Sequence, residues 1–377
     1  MMRVLHINSN YPATLLHQTM IDHLNAYTEN FVFAAVYDKE KAIVQEREYV
    51  TLSECFRKWD RLFFHLKQNK ILSAVEKNYR IETFDCIHAY TLFTDGDVAR
   101  RLSKKHKIPY VVAIRNTDVN LFFKRMIHLR STGVRILEEA SAVFFLSPAY
   151  KDEVLQNYVP AKIKDAVNEK SYIIPNGIDD FWHKHLFQRD ARRIEERLKT
   201  EKLLRCIYVG RIDANKNIGL TLRALDELNA GGWKCSLKAV GDIKDKRIYE
   251  AACKSTCFAY YPQKEKEKLM DFYRNADIFI MPSHHESFGL VYAEAMSQGL
   301  PVVYTRGQGF DGQFEDGAVG FAVSDREYGE CITALERIAN DYSQKVRNCL
   351  ESCGRFNWSS IANEYADIYD KIVSESG

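Results

Sequence analysis

Short runs of β-branched and aromatic residues alternate with helix-length amphipathic stretches along nearly the whole chain. Unbroken apolar runs of this kind are typical of strands covered on both faces, as in parallel sheets with helical crossovers. The strands predicted in the first half are residues 3–8, 31–37, 86–90, 110–114, 142–147 and 172–175. After residue 182 the pattern starts again, with predicted strands at residues 205–210, 235–241, 257–261, 277–283 and 301–305.

Two successive series of this kind predict two domains. The chain has 377 residues, which is more than one hydrophobic core usually serves. We therefore expect an α/β protein with two doubly wound, Rossmann-like parallel-sheet domains facing a cleft. The turn signal Asn176-Gly177 indicates the boundary, so the N-terminal domain is predicted at residues 1–178 and the C-terminal domain at 179–359. The amphipathic C-terminal helix, at residues 360–377, is predicted to join the first domain.

Composition narrows the functional classes. The formal net charge of +2 gives no general electrostatic case for binding nucleic acid. No apolar run reaches membrane-spanning length, and the first residues do not read as a secretory leader. The nine cysteines form no Cys-x-x-Cys pair, as expected of reduced thiols. These features predict a cytoplasmic protein, with the inner face of the cell membrane as its place if it contacts a membrane.

Residues 284–303, HHESFGLVYAEAMSQGLPVV, place one glutamate in a loop after a strand and another inside a helix. The helix is predicted to begin near Gly289 and to run to Gln298, with Gly299 as its C-terminal cap. Its first N–H groups lack intrahelical partners and carry partial positive charge, so they predict a phosphate site. These groups belong to Ser287, Phe288, Gly289 and Leu290.

Glu294 lies about five residues, roughly 7–8 Å, along the helix from that end. One extended ligand fits this spacing, with phosphates at the helix end, hydroxyls near Glu294 on one side and hydroxyls near Glu286 on the other. A nucleoside diphosphate sugar has this layout. The alternative is that both glutamates are ordinary solvated carboxylates.

The segment MPSHHESFGLVYAEAMSQGLPVV, at residues 281–303, resembles the signature of the retaining glycosyltransferases of family four (glycosyl transferases group 1), which have the GT-B fold. Further segments resemble other motifs of that family: YVGRIDANKN, AVGD, IIPNGID and RFNWSSIANEYADIY. The resemblance covers most of the chain and is strongest from residue 172 to 305. It implies a retaining hexosyltransferase whose co-substrate is a UDP- or GDP-linked sugar, with no cofactor and no obligatory metal ion.

The resemblance also implies roles for single residues. Arg211 and Lys216 would hold the donor diphosphate and act in catalysis. Glu294 would bind the ribose hydroxyls, and Glu286 the donor hexose as a further catalytic residue. The other donor-binding positions, which approach the ligand through their backbone, are Gly210, Gly241, Ser287, Phe288, Gly289 and Leu290. From the residues alone, a Gly-Arg after a strand with a Lys five positions on also places two cations at the strand end, and two surface cations at a helix start are the alternative.

The first domain departs from the family at AIRNTDVN, residues 113–120, where Arg115 and Asn116 replace the His-Gly of many relatives and Asp118 is retained. Arg115 cannot accept a proton because its guanidinium stays charged. It would bind an anionic acceptor or stabilise the leaving phosphate, with a buried Arg115–Asp118 ion pair as the alternative. Asp118 is predicted among the catalytic residues, and Asn116 and His88 on the acceptor or sugar side. Simple packing is the alternative for His88.

The Asp-x-Asp in TDGD, residues 94–97, is the metal-binding pattern of a different glycosyltransferase fold. Here it opens a helical stretch, and Thr94 and Asp97 are spaced like a capping box. We therefore predict a helix start at this point and no metal site.

The acceptor is expected to be a glycan or a lipid-linked glycan. Residues 56–70 and 121–130 combine Lys and Arg with aromatic side chains. One interpretation is contact with an anionic membrane surface near a lipid-linked acceptor. The other is an ordinary amphipathic helix packed on the sheet of the first domain.

Two further functions compete with transfer. The first is an epimerase of the same fold acting on the nucleotide sugar, which needs side chains able to handle a sugar proton and is not favoured by Arg115. The second is a catalytically inactive module that binds sugar nucleotides. Such a module would predict loss of the phosphate-binding cations, yet Arg211 and Lys216 are both present.

Overall fold

The computed structural model describes residues 1–41, 43 and 47–376. The chain divides into two compact units. Unit 1 contains residues 1–175 together with those from Trp358 onward, and unit 2 contains Asn176–Asn357. Each unit is built around one parallel sheet with helices on both of its faces, so the predicted fold class of two doubly wound parallel-sheet domains is confirmed.

Within its described residues, unit 1 has a seven-stranded sheet in which every pairing is parallel. Its strands are β1 (Arg3–Ile7), β2 (Glu29–Val36), β3 (Val50–Glu54), β4 (Cys86–Ala89), β5 (Tyr110–Ile114), β6 (Ala142–Phe145) and β7 (Ser171–Ile173). Their order across the sheet is β3-β2-β1-β4-β5-β6-β7. The direction in which strands are added therefore reverses between β1 and β4.

Unit 2, which has no undescribed residue, has a six-stranded parallel sheet. Its strands are β8 (Leu203–Val209), β9 (Lys234–Val240), β10 (Phe258–Tyr261), β11 (Ile278–Ile280), β12 (Val302–Thr305) and β13 (Gly320–Val323). Their order is β10-β9-β8-β11-β12-β13, so the reversal lies between β8 and β11. Ligands of open α/β sheets bind at the carboxyl ends of the strands at such a reversal.

The helices connect and cover these strands. The α-helices are α1 (Leu15–Leu24), α2 (Phe64–Asn78), α3 (Thr94–His106), α4 (Arg130–Glu139), α5 (Pro148–Asn157), α6 (Ala161–Glu169), α7 (Asp180–Lys184), α8 (Ala191–Thr200), α9 (Ile218–Ala230), α10 (Lys246–Ala252), α11 (Lys266–Arg274), α12 (Leu290–Ser297), α13 (Tyr328–Asn340), α14 (Tyr342–Ser352) and α15 (Trp358–Ser376). A π-helix spans Asp118–Phe123. Short 3-10 helices span Tyr11–Ala13, Lys39–Lys41, Lys58–Leu62, Ile81–Thr83, Ile127–Leu129 and Cys353–Phe356.

The last helix, α15, completes the core of unit 1. Its apolar residues recur at helical spacing, and Trp358, Tyr365 and Tyr369 are buried on one face. They pack in one cluster with Met20 of α1 and Phe144 of β6. Burial of such large aromatic surfaces is a main source of folding free energy, which explains why a C-terminal helix stays attached to the first unit.

Two sheet-edge strands, β3 and β13, were not predicted.

The predicted capping box at Thr94 is wrong in its residues, because Thr94 lies inside α3 and makes no cap. The reciprocal pair is Thr91 and Asp95: the N–H of Asp95 donates to the Thr91 hydroxyl at 3.1 Å, and that hydroxyl donates to the Asp95 carboxylate at 3.0 Å. Asp97 instead binds Arg100 at 3.2 Å.

Candidate functional site

The predicted donor residues of unit 2 follow two neighbouring strands. Strands β8 and β11 are paired, with Cys206 opposite Ile278. The loop after β8 carries Arg211 and Lys216, and the loop after β11 carries Glu286. These loops leave the sheet at its reversal point, where side chains from both can face one ligand.

An ion pair joins the two loops, because the ammonium of Lys216 donates a hydrogen bond to the carboxylate of Glu286. Both side chains are largely buried, with 15% and 11% of their surface exposed. The main chain of Lys216 is held by Asp213, whose carboxylate accepts its N–H at 3.0 Å. Asn217 then adopts a left-handed conformation (φ +56°) and donates to the carbonyl of Pro282 at 3.0 Å. The cation is therefore fixed in place from both loops.

Glu286 is positioned by a third loop, which follows β12. The N–H of Glu286 donates to the side-chain oxygen of Gln308 at 3.0 Å, and the N–H of Gly309 donates to the Glu286 carbonyl at 3.1 Å. A Cβ added at Gly309 would lie 2.0 Å from the carbonyl oxygen of Ser287, so a side chain there would displace the Glu286 loop. The sequence reasoning missed this loop, although a Gly-Gln-Gly run directly after a predicted strand was the available signal.

Arg211 supplies an accessible positive charge beside this pair. More than half of its side chain is exposed, and its Nε lies 3.3 Å from the carboxylate of Asp213. The carbonyl of Arg211 accepts a hydrogen bond from the Tyr208 hydroxyl at 2.7 Å. The backbone of the loop is thus anchored while the guanidinium remains available to an anionic ligand.

Two glycines shape the ends of β8 and β9. At Gly241 (φ +154°) an added Cβ would lie only 2.0 Å from the carbonyl oxygen of Gly210. The backbones meet this closely because Gly210 donates its N–H to Val240 at 2.9 Å. Tyr260 donates its hydroxyl to the Gly241 carbonyl at 3.0 Å. A side chain at Gly241 would separate the two strand ends.

Helix α12 begins at the Glu286 loop, as predicted. Gly289 is its N-cap in a left-handed conformation (φ +81°), and an added Cβ would clash with the ring of Tyr292 at 2.3 Å. Gln298 is the C-cap, and Gly299 follows with φ +68°, so the predicted helix end is confirmed. Leu290 is the first helical residue. Ahead of the cap, Ser287 is exposed whereas Phe288 is buried among other aromatic rings.

Glu294 lies within α12, one turn beyond its start. The Tyr273 hydroxyl donates to the Glu294 carboxylate at 3.3 Å. Burial raises the pKa of Glu294 to about 7, an effect that the Tyr273 hydrogen bond opposes and the negative charge of Asp179 reinforces. The side chain is partly exposed. Because its pKa is about 7, the carboxyl changes charge near neutral pH. A carboxylate held in this way can accept hydrogen bonds from vicinal hydroxyls.

Asp118 lies in unit 1, at the start of the π-helix after β5. Its carboxylate accepts three main-chain hydrogen bonds, from Leu92 at 3.1 Å, Phe93 at 3.2 Å and Arg115 at 2.9 Å. The side chain is buried, and burial raises its pKa to about 6 against the effect of these hydrogen bonds. Asp118 therefore fixes the loops that follow β4 and β5.

The two residues that replace the family's His-Gly lie on the same loop. The Nε of Arg115 donates to the carbonyl of Tyr90 at 3.2 Å. Arg115 donates to Asp118 through its main-chain N–H, whereas the alternative prediction was a side-chain ion pair between these residues. Asn116 donates to the hydroxyl of Tyr150 at 2.9 Å. The π-helix that follows is a rare conformation that is frequent at functional sites.

His88 is fully buried in unit 1. Its Nδ1 lies 2.6 Å from the hydroxyl of Tyr369, and its ring stacks on Tyr90 with 4.2 Å between centroids. Burial, together with the nearby His6 and Arg115, holds the pKa of His88 well below its usual value, so the ring is neutral. These contacts support the packing alternative for His88.

Unit 1 contains a cavity of about 570 Å³ at the carboxyl end of its sheet. Residues of the loops after β1, β2 and β5 line it together with residues of α2, and they include Ser9, Asp38, Thr117, Phe64 and Phe122. Two cations also line it: Arg61 lies 4.5 Å from the centre of the Tyr37 ring, and Lys67 lies 4.9 Å from that of Phe56. The volume is that of a small-molecule site.

The described residues show no metal site or membrane-spanning helix. No group of three or more His, Cys, Asp or Glu side chains is arranged to hold a metal ion. No described helix is both long enough and apolar enough to cross a bilayer. The nine cysteines are free thiols, most of them buried.

Comparison with known proteins assigns the region that contains the donor-side residues. Residues 189–353 match the family described as "Glycosyl transferases group 1". A relative named D-inositol 3-phosphate glycosyltransferase 2, from Catenulispora acidiphila, is 35% identical over 188 residues, which are 45% of this chain and 43% of the relative. The chain thus matches less than half the length of this relative and of a second D-inositol 3-phosphate glycosyltransferase.

Solved structures with the same fold match the whole chain. Sucrose-phosphate synthase from Thermosynechococcus elongatus has a TM-score of 0.75 at 18% identity, with both chains covered completely. HepE from Anabaena, solved in complex with UDP-glucose, has a TM-score of 0.66 at 17% identity and covers 98% of this chain and 100% of its own. At this identity the likeness establishes the fold alone, and the resemblance to group 1 glycosyltransferases is confirmed for residues 189–353.

Proposed function

We propose, from the membership of residues 189–353 in glycosyl transferases group 1, that this chain is a retaining glycosyltransferase. It moves a hexosyl unit from a nucleotide-diphosphate sugar to a glycan or lipid-linked glycan. The single observation that carries the proposal is the Lys216–Glu286 ion pair at the reversal point of unit 2, with Arg211 accessible beside it. One anionic ligand placed here can contact both cations.

The donor is bound through charge and hydroxyl recognition. Arg211, Lys216 and the N–H groups at the start of α12 bind the diphosphate. Glu294 accepts hydrogen bonds from the ribose hydroxyls, and Glu286 from the hydroxyls of the hexose. The complex of HepE with UDP-glucose supports a nucleotide-sugar donor, with UDP as the first candidate and GDP as the second.

Catalysis rests on stabilising the leaving diphosphate. The bond between the anomeric carbon and the diphosphate oxygen breaks, and the acceptor oxygen bonds to the same face of that carbon. The acceptor's proton passes to a phosphate oxygen of the leaving group, so atoms and charges balance without a protein nucleophile. Negative charge grows on the diphosphate, where Arg211, Lys216 and the helix end stabilise it most in the transition state. These positive charges stabilise the leaving diphosphate, as a divalent ion does in other transferases.

The acceptor occupies the cavity of unit 1. Its cations, Arg61 and Lys67, suit an acceptor with a negative group, and its aromatic lining suits a sugar ring or an apolar chain. Asp118 acts as a positioning residue, because its carboxylate is occupied by main-chain N–H groups.

The test is turnover with a panel of UDP- and GDP-hexoses and glycan or lipid-linked glycan acceptors, with the product's anomeric configuration read by NMR. We expect the donor's configuration in the product and loss of turnover in Lys216→Met, whereas Arg247→Ala, which alters an exposed arginine, behaves as wild type. An inverted product would overturn the retaining mechanism. An epimerised nucleotide sugar would indicate the epimerase, and donor binding without transfer to any acceptor would indicate the inactive module.

A further inference from the structure

Six large apolar side chains of unit 1 are exposed in two short segments. They lie in residues 56–70 and 121–130, and we call them the apolar ridge: Trp59, Leu62, Phe63, Leu66, Leu121 and Ile127, with exposed fractions from 42% to 76%. In the described part of the chain, only four other large apolar side chains are exposed by 42% or more: Met1, Leu15, Ile43 and Leu186. Such a concentration in a small part of the surface marks an interaction site.

The two segments lie side by side. The rings of Phe64 and Phe122, one from each segment, are 6.3 Å apart. Residues of both segments line the unit-1 cavity, among them Arg61, Lys67 and Met126. The apolar ridge therefore lies beside the mouth of the proposed acceptor site.

The folding of the first segment explains why its apolar residues point outward. Asp60 is buried and accepts the N–H of Arg57 at 2.6 Å and the ammonium of Lys70 at 2.7 Å. This arrangement turns Trp59 and Phe63 to solvent, whereas Gln68, Ile71 and Val75 of α2 are buried. The alternative prediction, a helix packed on the sheet, therefore holds for α2 from Gln68 onward. It does not hold for the 3-10 helix Lys58–Leu62 that precedes α2.

The two segments that carry the apolar ridge are strongly basic, although Lys70 pairs with Asp60 and Lys124 pairs with Glu153 of α5. The two segments contain eight Lys and Arg residues and a single acid, Asp60, whereas the whole chain has a net charge of only +2. Lys58 is exposed directly before Trp59, and Arg125 is exposed two residues before Ile127. Exposed Trp, Phe, Leu and Ile side chains ringed by cations fit the interface of an anionic bilayer, where the apolar groups enter the acyl boundary and the cations meet phosphates.

We propose that the apolar ridge docks this protein on an anionic lipid bilayer. The charge complementarity argues for lipid over a neutral protein partner, and the protruding aliphatic side chains argue against nucleic acid, whose backbone offers them no apolar partner. Docking would hold the mouth of the unit-1 cavity at the membrane surface, within reach of a lipid-linked acceptor. That last consequence rests on the proposed transferase function, whereas the docking itself does not.

The test is sedimentation of the full chain with vesicles of phosphatidylcholine alone and of phosphatidylcholine mixed with phosphatidylglycerol. We expect binding to the mixed vesicles, weakened about tenfold or more in Trp59→Ser/Phe63→Ser and in Lys58→Glu/Arg125→Glu. The matched control is Leu15→Ser/Leu186→Ser, which alters exposed leucines outside the apolar ridge and should bind as wild type. All of these side chains are exposed, so the substitutions should leave the melting temperature unchanged. An unchanged melting temperature will show that each variant folds.

Trp59 offers a second measurement on the same vesicles. Its emission should move to shorter wavelength on binding, and Trp59→Phe should bind while losing that shift. Equal binding of the wild type and the apolar ridge variants, or no binding to anionic vesicles, would overturn the proposal. Self-association in the absence of lipid that the same variants abolish, without vesicle binding, would instead identify the apolar ridge as a contact between two copies of the chain. Vesicle binding without transferase activity would leave the docking supported and contradict the proposed function alone.

Discussion

The ammonium of Lys216 is bound to the carboxylate of Glu286, across the loops that follow two paired strands of unit 2. In the proposed function these two residues bind different parts of the donor: Lys216 binds the diphosphate, and Glu286 binds the hexose. A bound phosphate group would compete with Glu286 for the ammonium and release the carboxylate for sugar hydroxyls. If the site binds the proposed donor, coupling between these residues governs how the donor enters it.

Removing one member of this pair should destabilise the fold. Lys216→Met removes the cation that pairs with Glu286, and Glu286→Gln removes the negative charge that pairs with Lys216. Because both side chains are largely buried, either change should cost about 1–3 kcal/mol of the free energy of unfolding. The double variant should lose less than the sum of the two single losses, since no buried charge then remains without its counter-charge. Urea unfolding of the four proteins measures this coupling. Strictly additive losses would show that the ion pair contributes nothing to stability.

Arg211→Ala should separate binding from stability. The side chain is more than half exposed, so the free energy of unfolding should change by less than about 0.5 kcal/mol. If the guanidinium stabilises the leaving diphosphate, kcat/KM should fall by about 10²-fold or more. The control is Arg247→Ala, whose side chain is almost fully exposed in the same unit. Equal activity of both variants would remove Arg211 from the donor site.

Nucleotide affinity should depend on pH through Glu294. Its pKa is raised to about 7 by burial, so the carboxyl is largely protonated below that pH and ionised above it. The ionised form is the better acceptor for ribose hydroxyls, and the Kd should fall as the pH rises from about 6 to about 8, by up to about tenfold. Calorimetric titration with UDP checks this. Glu294→Gln should bind UDP more weakly than wild type at high pH, and its Kd should not change with pH. If the Kd of this variant still depends on pH, another group is responsible for the dependence.

The same carboxyl should affect stability in the opposite direction. Because its folded pKa of about 7 exceeds the ordinary value of 4.5, the folded chain binds more protons between these two pH values. The stability linked to Glu294 is fully present below about pH 4.5 and is lost as the pH rises through about 7. Glu294→Gln, which cannot ionise, should therefore gain stability relative to wild type on going from about pH 5 to about pH 8. Thermal unfolding at the two pH values measures the difference.

Asp118→Asn should act on the acceptor side. An asparagine must turn an NH2 group towards one of the three main-chain N–H donors, which leaves a buried donor unpaired at a cost of about 1–3 kcal/mol. Loss of order in the Arg115 loop should raise KM for the acceptor more than KM for the nucleotide sugar. Steady-state kinetics with each substrate varied in turn tests the role, and equal effects on both constants would contradict a positioning role in unit 1.

The buried strands and the donor-side helix could be predicted because their signals are local. Strands β8 and β12 are unbroken apolar runs, and α12 lies between Gly289 and Gly299, whose positive φ angles only glycine adopts readily. Strand β3 was missed because Val50–Glu54 is half-buried and polar, and β13 was missed because its apolar run Gly320–Val323 begins with a glycine, which strands disfavour.

Contacts between distant segments could not be read from the sequence. Gln308 reaches Glu286 from the loop after β12, and Tyr273 reaches Glu294 from α11, although 21 or more residues separate each pair. The capping box was predicted at Thr94 and Asp97, whereas the reciprocal pair is Thr91 and Asp95, because both threonines are near the helix start and the spacing alone does not distinguish them. The outward turn of Trp59 depends on the burial of Asp60, which composition cannot show.

Thermal stabilisation by nucleotide sugars tests the central claim most directly. Purified wild-type protein and Arg211→Ala should be melted with UDP-, GDP- and ADP-sugars, because a ligand that binds the folded state raises the melting temperature by mass action. We predict a shift with one nucleotide class, UDP first, that is lost in Arg211→Ala and kept in Arg247→Ala. No shift with any donor, or one that Arg211→Ala retains in full, would contradict a donor site at the Lys216–Glu286 pair.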